Sequence, residues 1–164
     1  PARNKFIKNL VKDLEGNTLV LFNYVERHGE PLYELINSDV DKPTFFVHGG
    51  VDVSDRESIR EITEQSSNAV IVASYGTFST GINIRNLHNV IFASPSKSRV
   101  RNLQSIGRVL RKGENKSQAI LYDLADDTSK GASRRNYTLN HLIERVKVYN
   151  EEKFDYEILD VKIK

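Results

Sequence analysis

The chain contains no cysteine, which excludes disulfides and thiolate chemistry and fits an intracellular protein. It has only four histidines, none at a paired ligand spacing, so a metal centre is not expected. No apolar run approaches membrane-spanning length, and the opening Pro1-Ala-Arg-Asn-Lys5 has no signal-peptide pattern. No Gly-x-x-x-x-Gly-Lys-Ser/Thr occurs anywhere, so the chain has no loop of its own to cradle the α- and β-phosphates of a nucleotide. An Asp-Glu pair at a strand end, suited to Mg²⁺, is missing too, since Asp126-Asp127 falls in a turn. Charge of one sign is also scarce: 24 Lys and Arg stand against 22 Asp and Glu, a formal +2. Any nucleic-acid contact must therefore come from local clustering rather than bulk charge. Internal repeats, low-complexity stretches and long linkers are absent, and a start at Pro1 rather than Met suggests a piece of something longer.

What is present suits one globular α/β domain. A chain of 164 residues is long enough for a proper core, and its 38% hydrophobic and 28% charged content is ordinary for a globular protein. Phe6, Ile7, Leu10, Val11 and Leu14 recur at helical spacing until Gly16-Asn17, which predicts an amphipathic helix over 3–15. Thr18 to Phe22 is a continuous apolar run of strand length, expected where a strand is buried on both faces of a parallel sheet. A helix from His28 to Ser38 has Pro31 near its first turn. Pro43 to Val47 reads as a second strand, followed by a helix capped by Ser54 or Asp55 and running to about Gln65. Ala69 to Ser74, Asn89 to Ala93 and Ala119 to Asp123 give three more strands, with a Gly-, Ser- and Thr-containing loop over Tyr75 to Asn86 and a helix over Arg99 to Arg111. Strand alternating with helix or crossover predicts an open, mostly parallel sheet with helices on both faces. The tail adds a helix over about 134–149 and an alternating strand over 156–163, packed with the rest in a single domain over 1–164.

In such a sheet ligands gather outside the carboxyl ends of the strands. Polar clusters follow four of them: Asn23-Tyr24, His48-Gly49-Gly50, Ser74 through Asn83, and Ser94 through Ser98. The helix at Asn102 to Arg111 carries Gln104, Gly107, Arg108 and Arg111 three and four apart on one face, with Leu103, Ile106, Val109 and Leu110 on the other. Two guanidiniums one turn apart beside a glycine form a fork suited to phosphate oxygens. Plainer readings stand beside these. His48 either serves a ligand or simply caps a helix or satisfies a loop carbonyl, and Gly49-Gly50 reads as turn geometry. Arg56 either pairs with an acid or touches a ligand. Tyr24 and Tyr75 either stack on a base or pack at a strand end. Lys97, Arg99 and Arg101 beside a Ser-rich turn favour phosphate contact. Arg134, Arg135, Lys162 and Lys164 read as solvated charge.

Gln104-Ser-Ile-Gly-Arg-Val-Leu-Arg111 resembles motif VI, Gln-x-x-Gly-Arg-x-x-Arg, of the superfamily 2 helicases and translocases. Ser74 through Asn83 resembles their motif V, Leu19 through Tyr24 their motif IV, and His48-Gly49 with Arg56 the His-Gly…Arg element that follows; order and spacing agree over 18–123. The chain thus resembles the second, C-terminal RecA-like domain of that superfamily, and within it the phage recombination helicases. The resemblance implies that Arg108 and Arg111 are arginine fingers reaching the γ-phosphate of ATP on a partner domain, with Gln104 positioning the nucleotide or its attacking water. It puts Gly81, Asn83 and Gly107 near the nucleotide, Asn83 standing where many relatives carry Asp. Asn23, Tyr24, His48, Gly49, Thr77, Thr80, Ser96, Lys97, Ser98 and Arg99 would face a nucleic-acid backbone, contacts that position a strand without reading its sequence. ATP and Mg²⁺ would be held mainly by an N-terminal RecA-like domain of the same polypeptide. The partner would be branched or single-stranded DNA, and the location the host cytoplasm if phage-encoded. The competing expectation is an ATPase-dead module that only binds nucleic acid or protein.

Overall fold

The computed structural model describes residues 2–77, 86–93, 120–124 and Lys147. Helix α1 (Ala2–Asp13) comes first, then strand β1 (Thr18–Phe22), a π-helical turn (Val25–Gly29), α2 (Glu30–Asp39), β2 (Thr44–Val47), α3 (Val53–Gln65), β3 (Val70–Ser74), β4 (Asn89–Phe92) and β5 (Ile120–Asp123). The five strands form one sheet in the order β2-β3-β1-β4-β5, with every neighbouring pair parallel.

All five residues of β1 are buried, as its unbroken apolar run predicts for a central strand. Because successive side chains point to opposite faces, the strands supply two cores. Leu19, Leu21, Ile71, Ala73, Val90 and Phe92 form one, on which Ile59 of α3 packs. Val20, Phe22, Val70, Val72 and Ile91 form the other, covered by Ile7 and Val11 of α1 and Leu32 and Ile36 of α2. The chain therefore leaves β1 over one face and β2 over the opposite face.

At the amino edge of the sheet, Asn17 is fully buried. Its Nδ2 lies within 2.9 Å of the carbonyls of Thr63, Ser66 and Asn86, and its Oδ1 accepts the Ala69 N–H at 2.8 Å. Its own carbonyl accepts the N–H groups of His88 and Asn89. One side chain thus joins the end of α3 to the entries of β1, β3 and β4. The neighbouring Gly16 has φ +91°, a left-handed conformation, and a Cβ there would come within 2.6 Å of the His88 ring. Lys42 Nζ donates to the carbonyls of Val11 (2.8 Å) and Leu14 (2.5 Å), satisfying the frayed end of α1. Burial lowers the Lys42 pKa from its ordinary value, and the carboxylates of Asp13 and Glu15 oppose that shift.

Four local expectations need correction. The helix expected from His28 starts at Glu30, because Val25–Gly29 form a wider turn in which the Tyr24 carbonyl accepts from both His28 N–H (3.1 Å) and Gly29 N–H (2.9 Å). Gly29 permits it, since a Cβ there would overlap the Phe22 ring. The residue at the start of α3 is Asp52, with extended backbone and no side-chain capping bond, so Ser54 and Asp55 lie inside the first turn. Residues 75–77 are already helical rather than loop. Pro43, Ala69 and Ala93, expected within β2, β3 and β4, lie just outside them. The expected helices over 99–111 and 134–149 and the strand over 156–163 lie outside the described residues, apart from Lys147, which is helical.

Candidate functional site

Parallel pairing brings the strand ends into line. Val47 is level with Ala73, Phe22 with Ser74, Leu21 with Phe92, and Phe92 with Asp123. Along this carboxyl edge the order is therefore His48, then Ser74 to Thr77, then Asn23-Tyr24, then Ala93, then Leu124. The polar clusters after β1 and β3 are direct neighbours although some fifty residues separate them in sequence. Winding reverses around β1, the arrangement at which open α/β sheets form their ligand crevice.

Tyr24 stands 68% exposed at the end of β1, with backbone still extended (φ −110°, ψ 120°) before the π-helical turn. Tyr75, by contrast, is 1% exposed and packs tilted against Phe92 with ring centroids 5.6 Å apart, so packing is its role. Asn23 is half-buried beside Tyr24. His28, in the π-helical turn, is held below its ordinary pKa by burial and then by the charge of Arg3. Arg3 also donates to the Leu124 carbonyl at 3.3 Å, tying the start of α1 to the end of β5.

After β2, His48 through Val51 form a tight turn closed by Val51 N–H to the His48 carbonyl at 3.0 Å. The His48 ring lies against Phe46 at 5.0 Å, and its Nδ1 accepts Gly50 N–H at 3.1 Å. An imidazole that accepts at Nδ1 carries its proton on Nε2 when neutral, which makes Nε2 a donor. A Cβ at Gly50 would come within 2.9 Å of the ring and force it to shift, whereas Gly49 is exposed with open space where a Cβ would stand. Arg56 reaches back from the first turn of α3, donating from Nε to the Val51 carbonyl (3.0 Å) and from Nη2 to the Gly49 carbonyl (3.4 Å).

After β3, Ser74 Oγ accepts Thr77 N–H at 3.3 Å and lies 2.7 Å from Thr77 Oγ1. This is a helix N-cap pairing, with Ser74 at the cap and Thr77 three residues on. Thr77 is only 4% exposed and its hydroxyl is engaged with Ser74, so it helps fix the start of the helical turn. The capping role of Ser74 was missed in sequence, although Ser-x-x-Thr at a strand end is its signal. Gly81, Asn83, Thr80, Ser96, Lys97, Ser98, Arg99, Gln104, Gly107, Arg108 and Arg111 lie outside the described residues. Among the described residues no group of three His, Asp or Glu could hold a metal ion, and no helix is long and apolar enough to cross a membrane.

Residues 2–113 match the helicase conserved C-terminal domain. The chain belongs to this family. The match contains the whole Gln104–Arg111 motif. Over 98% of its length this helicase C-terminal domain is 39% identical to the ATP-dependent DNA helicase UvsW of Enterobacteria phage T4, covering 34% of that protein. It is 29% identical to a putative ATP-dependent RNA helicase of Acanthamoeba polyphaga mimivirus, across 93% of this chain and 28% of the relative. The crystal structure of T4 UvsW superposes with a TM-score of 0.77 and 40% identity over 95% of this chain and 34% of that one. The C-terminal domain of the DEAD-box protein Dbp5 superposes with a TM-score of 0.68 at 15% identity over 91% of this chain and 79% of that one, a likeness of fold alone. The RecA-like sheet expected from sequence is the architecture these structures share. The helicase C-terminal domain described here spans about a third of the length of the curated relatives it matches.

Proposed function

We propose that this domain is the second motor domain of an ATP-dependent DNA helicase or translocase that processes branched DNA in recombination, repair or fork remodelling. The observation that carries the reading is Gln104-x-x-Gly107-Arg108-x-x-Arg111 within a chain that belongs to the helicase C-terminal family. Arg108 and Arg111 act as arginine fingers on ATP held, with Mg²⁺, mainly by an N-terminal RecA-like domain of the same polypeptide. Gln104 positions the nucleotide or the attacking water, and Gly81, Asn83 and Gly107 border it. Charge-stabilising arginines of this kind are worth roughly 10³ to 10⁵ in rate. Their planar fork matches phosphoryl oxygens in a way a lysine cannot.

The carboxyl edge grips the DNA backbone without sequence preference. Support comes from the exposed Tyr24 ring beside Asn23, and from a His48-Gly49 turn that offers an Nε2–H donor and an exposed glycine. Thr77 contributes through Ser74 and the helical start, while Thr80 and Ser96 through Arg99 complete the surface. ATP binding closes the two motor domains and hydrolysis releases them, so the grip alternates with nucleotide state. The protein works in the cytoplasm of the host cell if phage-encoded.

The test is branched-DNA-stimulated ATPase of the protein joining both motor domains, with and without Arg111→Ala, beside DNA affinity. Hydrolysis is expected to fall by about 10³ or more while binding survives. Persistent hydrolysis would make the motif structural and favour a module that only binds.

A further inference from the structure

We propose that Arg56 is a positioning residue, which holds the turn His48 to Val51 in the one shape that presents His48 Nε2–H and the Gly49 backbone to a DNA phosphate. The inference rests on the reading of this turn as a backbone contact, and it adds the group that keeps the turn competent. Three features converge on the same four residues. Gly50 leaves room for the imidazole, which a Cβ would meet at 2.9 Å. Its N–H occupies Nδ1 at 3.1 Å and so assigns the donor proton to Nε2. Arg56 then clamps two carbonyls of the turn, Val51 at 3.0 Å and Gly49 at 3.4 Å.

Nε and Nη2 are the two donors along one edge of the guanidinium, fixed in a plane. Because that edge is committed to main-chain oxygens, Arg56 acts on a bound strand through the shape of the turn and not as a counter-charge. The distinction is measurable. A cation that neutralises a phosphate releases counterions and steepens the salt dependence of binding by about 0.7 per contact on single strands. Neutral donors such as an imidazole Nε2–H or a backbone N–H leave that slope alone.

The experiment measures anisotropy of a labelled oligo-dT with this chain across a salt series, for Arg56→Lys, Arg56→Gln, His48→Ala and the pair Arg56→Gln with His48→Ala. Amide and imidazole nitrogen shifts are recorded without DNA. Lysine keeps the charge but not the planar fork, so Arg56→Lys is expected to weaken binding by about 3- to 10-fold, and wild-type affinity in that variant would overturn the proposal. Arg56→Gln is expected to weaken binding with its salt slope unchanged. A slope lower by about 0.7 would mean direct phosphate contact and would also overturn it. The double variant should lose no more than the worse single one, because both act through one turn.

In the DNA-free spectra, Arg56→Gln should shift the Gly50 amide and the His48 Nδ1 resonance; if neither moves, Arg56 does not hold the turn. Should both resonances move while His48→Ala and Arg56→Gln bind DNA like wild type, the backbone-contact reading of this turn falls and the positioning role falls with it.

Discussion

Asn17 shows how much a single polar side chain can decide. Fully buried, it serves carbonyls from α3 and the approach to β4 while accepting the N–H that precedes β3. Removing it leaves the Ala69 N–H without its acceptor and the Asn86 carbonyl without its donor, while the Thr63 and Ser66 carbonyls each keep one other donor; a buried group left unsatisfied costs about 1–3 kcal/mol. Asn17→Ala is expected to destabilise the domain by about 3 kcal/mol or more, read as a lower urea midpoint at unchanged slope. Nothing in sequence foretold this, since Gly16-Asn17 reads only as the end of a helix and the partners are up to 69 residues away. His28 carries a second residue-scale prediction. Its folded pKa lies below the ordinary value, through burial and then Arg3, so the unfolded chain binds a proton that the folded chain refuses. Its contribution to stability is complete above about pH 6.5 and is lost as pH falls from there toward the lowered folded value. The loss is no steeper than about 1.4 kcal/mol per pH unit. Denaturation of wild type and His28→Gln at stepped pH should show the variant with the flatter acid limb; parallel limbs would refute the assignment.

At the scale of elements, apolar runs were legible and their punctuation was not. Thr18 to Phe22 is a strand with the predicted bounds because a buried central strand needs an unbroken apolar run. The turn between β1 and α2 depends instead on one close approach, Gly29 against the Phe22 ring, which no local pattern reveals. Gly29→Ala must push that ring or open the turn, and overpacking of this kind costs about 1–3 kcal/mol. A lower Tm in Gly29→Ala, with the exposed Tyr24 at the mouth of the turn reporting changed fluorescence, is the expected result. The His48 turn was half legible: Gly-Gly announced a tight turn, but the Arg56 bonds that hold it join side chain to main chain and leave no periodic trace. Tyr75 and Thr77 carried functional signals in sequence, yet both are buried, because the chain turns helical at the very end of β3.

For the molecule as a whole, alternation of strand and helix was enough to announce a parallel sheet, but not its order. Strand β3 inserts between β1 and β2, so the neighbours along the carboxyl edge are Ser74 and Asn23 rather than His48 and Asn23. Only tertiary pairing decides that. A domain with no phosphate-cradling loop of its own should hydrolyse ATP only at background even with branched DNA present, measured as phosphate release from this chain alone. Release well above background would sink the two-domain motor. The same sheet order has a consequence in time. Asn17 meets Ala69 across 52 residues and Thr18 meets Asn89 across 71, so β1 is made early and must wait for both of its partners. At roughly 5–20 residues per second on the ribosome, the stickiest segment of the chain stays unpaired for several seconds. A nascent chain of this protein is therefore most in need of a chaperone before residue 92 emerges, and a pause in translation ahead of β4 would prolong that exposure.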